Sequence, residues 1–439
     1  MRIKPTRSIV ATSLAAVLIA GLAGCGSSSS QAVAAPAQPD TNSSAAPAPA
    51  ATPAATDSAA ASGNGSTGNP FADIRTAAAH MPGSADVLAG GFVKALKLTG
   101  NADSDASKLQ SSLTYLFTEH VYLAGIAVAT AYGKGATSDA FNLAKAQVMA
   151  NATDIENAVT GIVGATQGAS FKAAFDSHIG DFVSYAVAAK GKDTAGMAKA
   201  VTSLTAYAKT VGTFFNKVTN GVLSASAVQA DTMTHILTLK AAVDDLAAGK
   251  TTAYGDLKKA ADHMESSAEV LSKGIAKATK MSGSTTDKAA GLRDDLTSKL
   301  VGHVYLAGVA VFTAYTDPKS TGGDAFKAAA AAVQANSDEI GKIVGAAGAA
   351  AEKTFQQVWD QHVTDFVSYA VADATNDSAA KAKAVTALTG YESASGGFFD
   401  KITGGALPAA AVQSDLAMHV TTLEAAIDSL AKALVPSSG

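Results

Sequence analysis

The segment Leu113-Thr114-Tyr115-Leu116-Phe117-Thr118-Glu119-His120-Val121-Tyr122-Leu123-Ala124-Gly125-Ile126-Ala127 places apolar side chains three and four residues apart. Leu113, Leu116, Phe117, His120, Leu123, Ala124 and Ala127 form one stripe with the helical period, and nothing alternates with period two. Part of the segment returns downstream. His120-Val121-Tyr122-Leu123-Ala124-Gly125 recurs as His303-Val304-Tyr305-Leu306-Ala307-Gly308, and Asp181-Phe182-Val183-Ser184-Tyr185-Ala186-Val187-Ala188 recurs over 365–372. A period of about 183 residues is duplication of a whole unit rather than a short solenoid repeat.

The duplicated unit runs over 71–250 and again over 251–434. Ala-rich composition, long stretches without proline and helical spacing predict six helices in the first copy, near 71–97, 104–132, 138–163, 168–190, 194–218 and 225–247. Pro82, whose counterpart is Glu265, is expected to kink or restart the first helix. The fold class is therefore all-α: two tandem homologous up-down bundles of about six helices each.

The first 70 residues differ in kind. Arg2, Lys4 and Arg7 precede a short apolar stretch over 8–23 that ends in Leu22-Ala23-Gly24-Cys25, the pattern of a secretory signal. The tetrapeptide resembles the bacterial lipobox. That resemblance implies a signal peptide over 1–24, a diacylglyceryl group on Cys25 and attachment to the outside of a bacterial membrane. Residues 25–70 hold six of the chain's 11 prolines among Ser, Ala, Thr and Gly, and read as a disordered tether. Cys25 is the only cysteine, so disulfides, thiolate metal sites and iron–sulfur clusters are excluded. With 33 Lys and Arg against 37 Asp and Glu and no basic run, nucleic acid is not an expected partner.

All eight histidines fall into matched pairs: His80/His263, His120/His303, His178/His362 and His235/His419. In an up-down bundle His120, His178 and His235 each lie about 12 residues, roughly 18 Å, before a helix end on the same side. His80 lies at a similar height on the antiparallel first helix. Four imidazoles in one layer per unit predict a transition-metal site, for copper, zinc or iron. Met81 and Met264, next to the first histidines, are possible additional ligands that would tilt the choice toward Cu(I). Asp181, Asp231, Asp365 and Asp415 are placed to orient ligating rings. Bis-imidazole haem binding and a redox metalloprotein are variants of the same reading. The competing one is a structural envelope protein whose core histidines hold no metal. There is no Glu-x-x-His, His-Glu-x-x-His, Gly-x-Ser-x-Gly or phosphate-binding Gly-Lys-Ser/Thr motif, and no catalytic constellation is expected.

The His-Val-Tyr-Leu-Ala-Gly repeats, Trp359-x-x-His362-x-x-Asp365-Phe366-Val367-x-Tyr369 and the His-Met pairs resemble tandem helical envelope lipoproteins of actinobacteria and firmicutes. These are often labelled copper amine oxidase-like. The resemblance implies the all-α fold, an envelope location and copper. The label's activity has no residues here to carry it, since the amine oxidase cofactor forms from a tyrosine in an Asn-Tyr setting and no Asn-Tyr dipeptide occurs.

Overall fold

A computed structural model describes residues 66–435. The signal-like segment, Cys25 and the tether before residue 66 lie outside it. Thirteen α-helices run in chain order among the described residues: α1 Pro70–Ala79, α2 Met81–Ala95, α3 Asp105–Lys134, α4 Asp139–Val163, α5 Ala165–Gly191, α6 Thr194–Val218, α7 Ala225–Ala247, α8 Ala253–Thr279, α9 Lys288–Thr316, α10 Asp324–Val344, α11 Ala349–Ala374, α12 Ser378–Ile402 and α13 Ala409–Leu434. The six helices expected in the first repeat stand within a few residues of where the sequence puts them, and no strand occurs among the described residues.

The start signals are the usual side-chain caps. Asn69 accepts from the amides of Phe71 and Ala72 ahead of Pro70, Ser104 from Ser107, Ser138 from Phe141, and Asp193 from Ala195 and Gly196. α1 and α2 are one helix broken at His80, because Pro82 has no amide proton and its ring crowds the carbonyl four residues back. With Glu265 in the equivalent place, α8 runs unbroken.

The first helix of each repeat packs mainly on the other repeat. α8 lies along α3, while α1 and α2 lie along α9 and α13. Four glycines show how closely. A methyl group on Gly91 would stand 2.0 Å from Leu407, and on the equivalent Gly274, 2.2 Å from Leu223. Gly125 and Gly308, which close the two His-Val-Tyr-Leu-Ala-Gly motifs, face Leu257 and Ile74 in the same reciprocal way. Contacts of i on j matched by j on i mark a pseudo-two-fold axis. The axis passes between α3 and α9, where the equivalent Tyr122 and Tyr305 stack with centroids 5.5 Å apart and planes 12° off parallel.

The core is continuous across this seam. α9 is long and apolar enough to cross a membrane, but 83% of its apolar window is buried within the protein, so it is the central core helix. One buried carboxylate gathers several polar groups at the seam. Glu119, fully buried, accepts from Tyr305 Oη at 2.9 Å, Tyr115 Oη at 3.0 Å and Asn151 Nδ2 at 2.8 Å, and pairs with Arg75 at 3.1 Å.

Candidate metal centre

Three of the four histidines of each repeat meet in one layer, brought there by α3, α5 and α7 in the first bundle and by α9, α11 and α13 in the second. One ring nitrogen from each of His303, His362 and His419 lies within 4.8 Å of the others, and all three residues are buried. His303 Nε2 and His362 Nε2 are 3.4 Å apart. Two ligands 2.0–2.1 Å from one tetrahedral ion stand about 3.3 Å apart, so this spacing fits a shared ion. In the first bundle the rings sit slightly wider: 5.6 against 5.4 Å for His120–His178 and His303–His362, and 6.5 against 6.1 Å for His120–His235 and His303–His419. Among the described residues, only the second trio forms a group with metal-binding spacing.

Burial holds these rings neutral. It pushes His303 down to about 3, His419 to about 4, His120 to about 4 and His235 to about 3, while His178 and His362 fall well below the ordinary histidine value. Neutral imidazole is the form that ligates a metal.

On His120 and His178 the other ring nitrogen has its own partner, whereas Nδ1 of His235 and of His419 completes no hydrogen bond. His120 Nδ1 is 3.0 Å from Asn151 Oδ1; the Asn151 amide nitrogen donates to Glu119 and to the Leu116 carbonyl, so its oxygen accepts from His120. His178 Nδ1 donates to the Phe175 carbonyl at 2.5 Å. Both rings thus carry the proton on Nδ1 and leave Nε2 bare. Asn336 and the Trp359 carbonyl face His303 and His362 in the same way, but more loosely: neither Nδ1 completes a hydrogen bond of full geometry. Aromatic rings close the sides. Tyr391 stacks on His362 at 4.3 Å and Tyr207 on His178 at 4.4 Å, and Trp359 lies 4.8 Å from His303 where the first bundle has Phe175 at 5.4 Å from His120.

The expected fourth member of each layer is elsewhere. His80 Nε2 meets the backbone carbonyl of Asp415 at 3.2 Å and its carboxylate at 3.0 Å. His263 meets Asp231 likewise, at 3.2 and 3.4 Å. The reason is the crossing of the first helix: its height along the bundle agrees with the expected layer, but it belongs to the other repeat's bundle and stands behind the last helix. Burial opposes a charge on His80, yet the side-chain and backbone hydrogen bonds to Asp415 and its negative charge together outweigh it, and the pKa is raised. Asp231 and Asp415 thus orient imidazoles, but those of His263 and His80 rather than those of His235 and His419 four residues on.

Asp365 accepts from Gln361 Nε2 at 2.9 Å, and Asp181 stands half-buried with its pKa raised by burial. Met81 and Met264 are packed in the apolar core. Asn151/Asn336 and Tyr207/Tyr391 are site residues that the sequence reading did not single out. The test that picks out the histidines, identity between the two repeats, applies to these pairs as well.

No protein-family profile, curated protein or solved structure matches this chain.

Proposed function

We propose that the chain is a lipid-anchored envelope protein that binds a transition-metal ion through His303, His362 and His419. One observation carries the reading. Two neutral imidazoles present Nε2 atoms 3.4 Å apart in a dry core, with their Nδ1 sides turned toward acceptors. With both protons on Nδ1 the two Nε2 lone pairs face each other and a cation between them removes the repulsion, whereas a proton on either Nε2 makes the contact a plain hydrogen bond.

Copper is favoured on charge. The trio has no carboxylate ligand, so a bound ion brings its whole charge into an apolar interior, and Cu(I) costs less to bury than Zn²⁺ or Fe²⁺. Trp359, Tyr391 and Phe366 pack around His362. The role proposed is binding or storage. The envelope location rests on Cys25 and the segment before it.

The test uses the one tryptophan as reporter. Copper added to the purified full chain under reducing conditions should quench Trp359 fluorescence and titrate to one tightly held equivalent. His303→Ala/His362→Ala should lose that equivalent, and His120→Ala should keep it. Loss of thermal stability in the double variant, with no copper bound by the parent chain, would make the histidines purely structural. Metabolic labelling with a radioactive fatty acid, abolished by Cys25→Ser, tests the anchor.

A further inference from the structure

Each bundle contains an elongated apolar cavity that starts at the histidines. In the second, its floor is buried His303, and its walls follow α9 through Ala307, Ala310 and Ala314 to Tyr315. Its mouth reaches the exposed Ser320, Val371 and Thr375. From His303 to Tyr315 the helix rises about 18 Å. No charged side chain lines it. The first bundle has the equivalent cavity, from His120 past Ala124, Ala127 and Ala131 to Tyr132, with Lys145 in its lining where the second has Ala330. The space open to the centre of a water-sized sphere is about 90 Å³ in the second cavity and about 70 Å³ in the first.

Protein interiors are close-packed, and a void in one helical bundle could be an accident of packing. Two voids at matching positions are harder to explain so, because the halves have changed freely around them. Glu119 is matched by Gly302 and Phe175 by Trp359, while Ala127/Ala310, Phe182/Phe366 and Val183/Val367 keep the same residue on the cavity wall. Alanine at each turn of the wall helix is what leaves the channel open; leucine there would fill it. A narrow, almost wholly apolar passage with uncharged rings at its floor fits few kinds of guest.

We propose that each cavity takes one saturated alkyl chain, lying lengthwise between the helices with its polar end at the mouth. This goes beyond the metal reading and does not depend on it, since the walls are made by residues other than the three ligands.

The experiment counts bound guests by native mass spectrometry of the full chain. One arm supplies dodecan-1-ol and the other phosphatidylcholine vesicles. Saturable binding of up to two molecules per chain is expected, and the arm that shows it identifies a free amphiphile or a membrane lipid as the source. Ala127→Leu and Ala310→Leu should each remove one site, with a thermal melt to establish folding. Val371→Asp, at an exposed mouth position, should weaken the second site at least tenfold without disturbing the core. His303→Ala/His362→Ala should still bind the guest, which separates this result from the fate of the metal reading. Absence of saturable binding in both arms, or binding indifferent to Ala310→Leu and Val371→Asp, overturns the proposal.

Discussion

Asp294 offers a quantitative test of how the two repeats are joined. It lies on α9 at the seam, 3% exposed, and accepts from two residues of α3: Thr114 Oγ1 at 2.6 Å and Gln110 Nε2 at 2.8 Å. Burial raises its pKa to about 7 against the ordinary 3.8, with the two hydrogen bonds pulling the other way and Glu265 and Glu269 adding to the rise. The folded state therefore holds the Asp294 proton more tightly than the unfolded chain does. Stability linked to this proton is fully present below the unfolded value near 3.8 and is lost as pH rises through about 7.

A shift of about three units corresponds to ~4 kcal/mol, an order-of-magnitude figure. Asp294→Asn cannot ionise but gives up one of two acceptor oxygens, at about 1 kcal/mol. The variant should be less stable than the parent by about 0.5 kcal/mol at pH 4, and more stable by about 3 kcal/mol at pH 8. The two stability curves should cross between about pH 4.5 and 5. Urea unfolding of parent and variant across pH 4–8, followed by far-ultraviolet circular dichroism, gives the difference curve directly. Parallel curves separated by a constant offset would mean that Asp294 is already ionised in the folded protein at neutral pH, and would refute the reasoning.

Other substitutions probe the seam and the centre. Gly125→Ala sets a methyl group 2.5 Å from Leu257 and should cost about 1–3 kcal/mol in thermal or urea unfolding, whereas Gly308→Ala, 3.2 Å from Ile74, should cost clearly less. Asn336→Ala, removing the acceptor that faces His303 Nδ1, should weaken copper binding by about 10–100-fold in a competition titration. Asn151→Ala should act on stability instead, by about 1–3 kcal/mol, because it strips a partner from buried Glu119 and from His120. A fragment of residues 66–250 lacks the surfaces that cover α1 and α2, and should form a two-fold dimer through its own α3. Light scattering that finds a cooperatively folded monomer would contradict the reciprocal packing.

Much of the fold was legible because its signals are local. Caps such as Ser104 and Asp193, the helical stripe through His120 and the proline at 82 act within a turn or two of chain, and the repeat then carries the assignment to the second half. The partner of the first helix was not legible. The apolar face of α8 states that it must be buried, but Leu257 reads the same whether it meets its own repeat or, as it does, Gly125 of the other. A loop only a few residues long joins α7 to α8, and another joins α8 to α9; neither fixes which bundle α8 completes. For the histidines the height along the bundle came from counting residues and agrees for His120, His178 and His235. The sideways position of His80 depends on the crossing of the first helix, so the spacing that finds a layer cannot tell three members from four.

The differences between the repeats indicate which trio is the better site. In the first bundle Asn151 is clamped by Glu119, itself held by Arg75, Tyr115 and Tyr305, and its oxygen fixes His120. In the second, Gly302 replaces Glu119, Asn336 keeps only the Lys299 carbonyl at 3.0 Å, and His303 is left with a looser hold on the Nδ1 side. A tightly oriented imidazole would ordinarily be the stronger ligand. The first trio, however, is held slightly too wide, and the ring that has been freed is the one that comes within 3.4 Å of its neighbour. Convergence of the lone pairs outweighs the rigidity of one ring, because an ion can draw a loose imidazole onto Asn336 but cannot easily shift one pinned through Asn151 and Glu119 to three other side chains. On this argument a second equivalent of copper, if the chain takes one up, enters the first bundle only after the second is filled. Asn151→Ala, at its cost in stability, should bring the two affinities closer together.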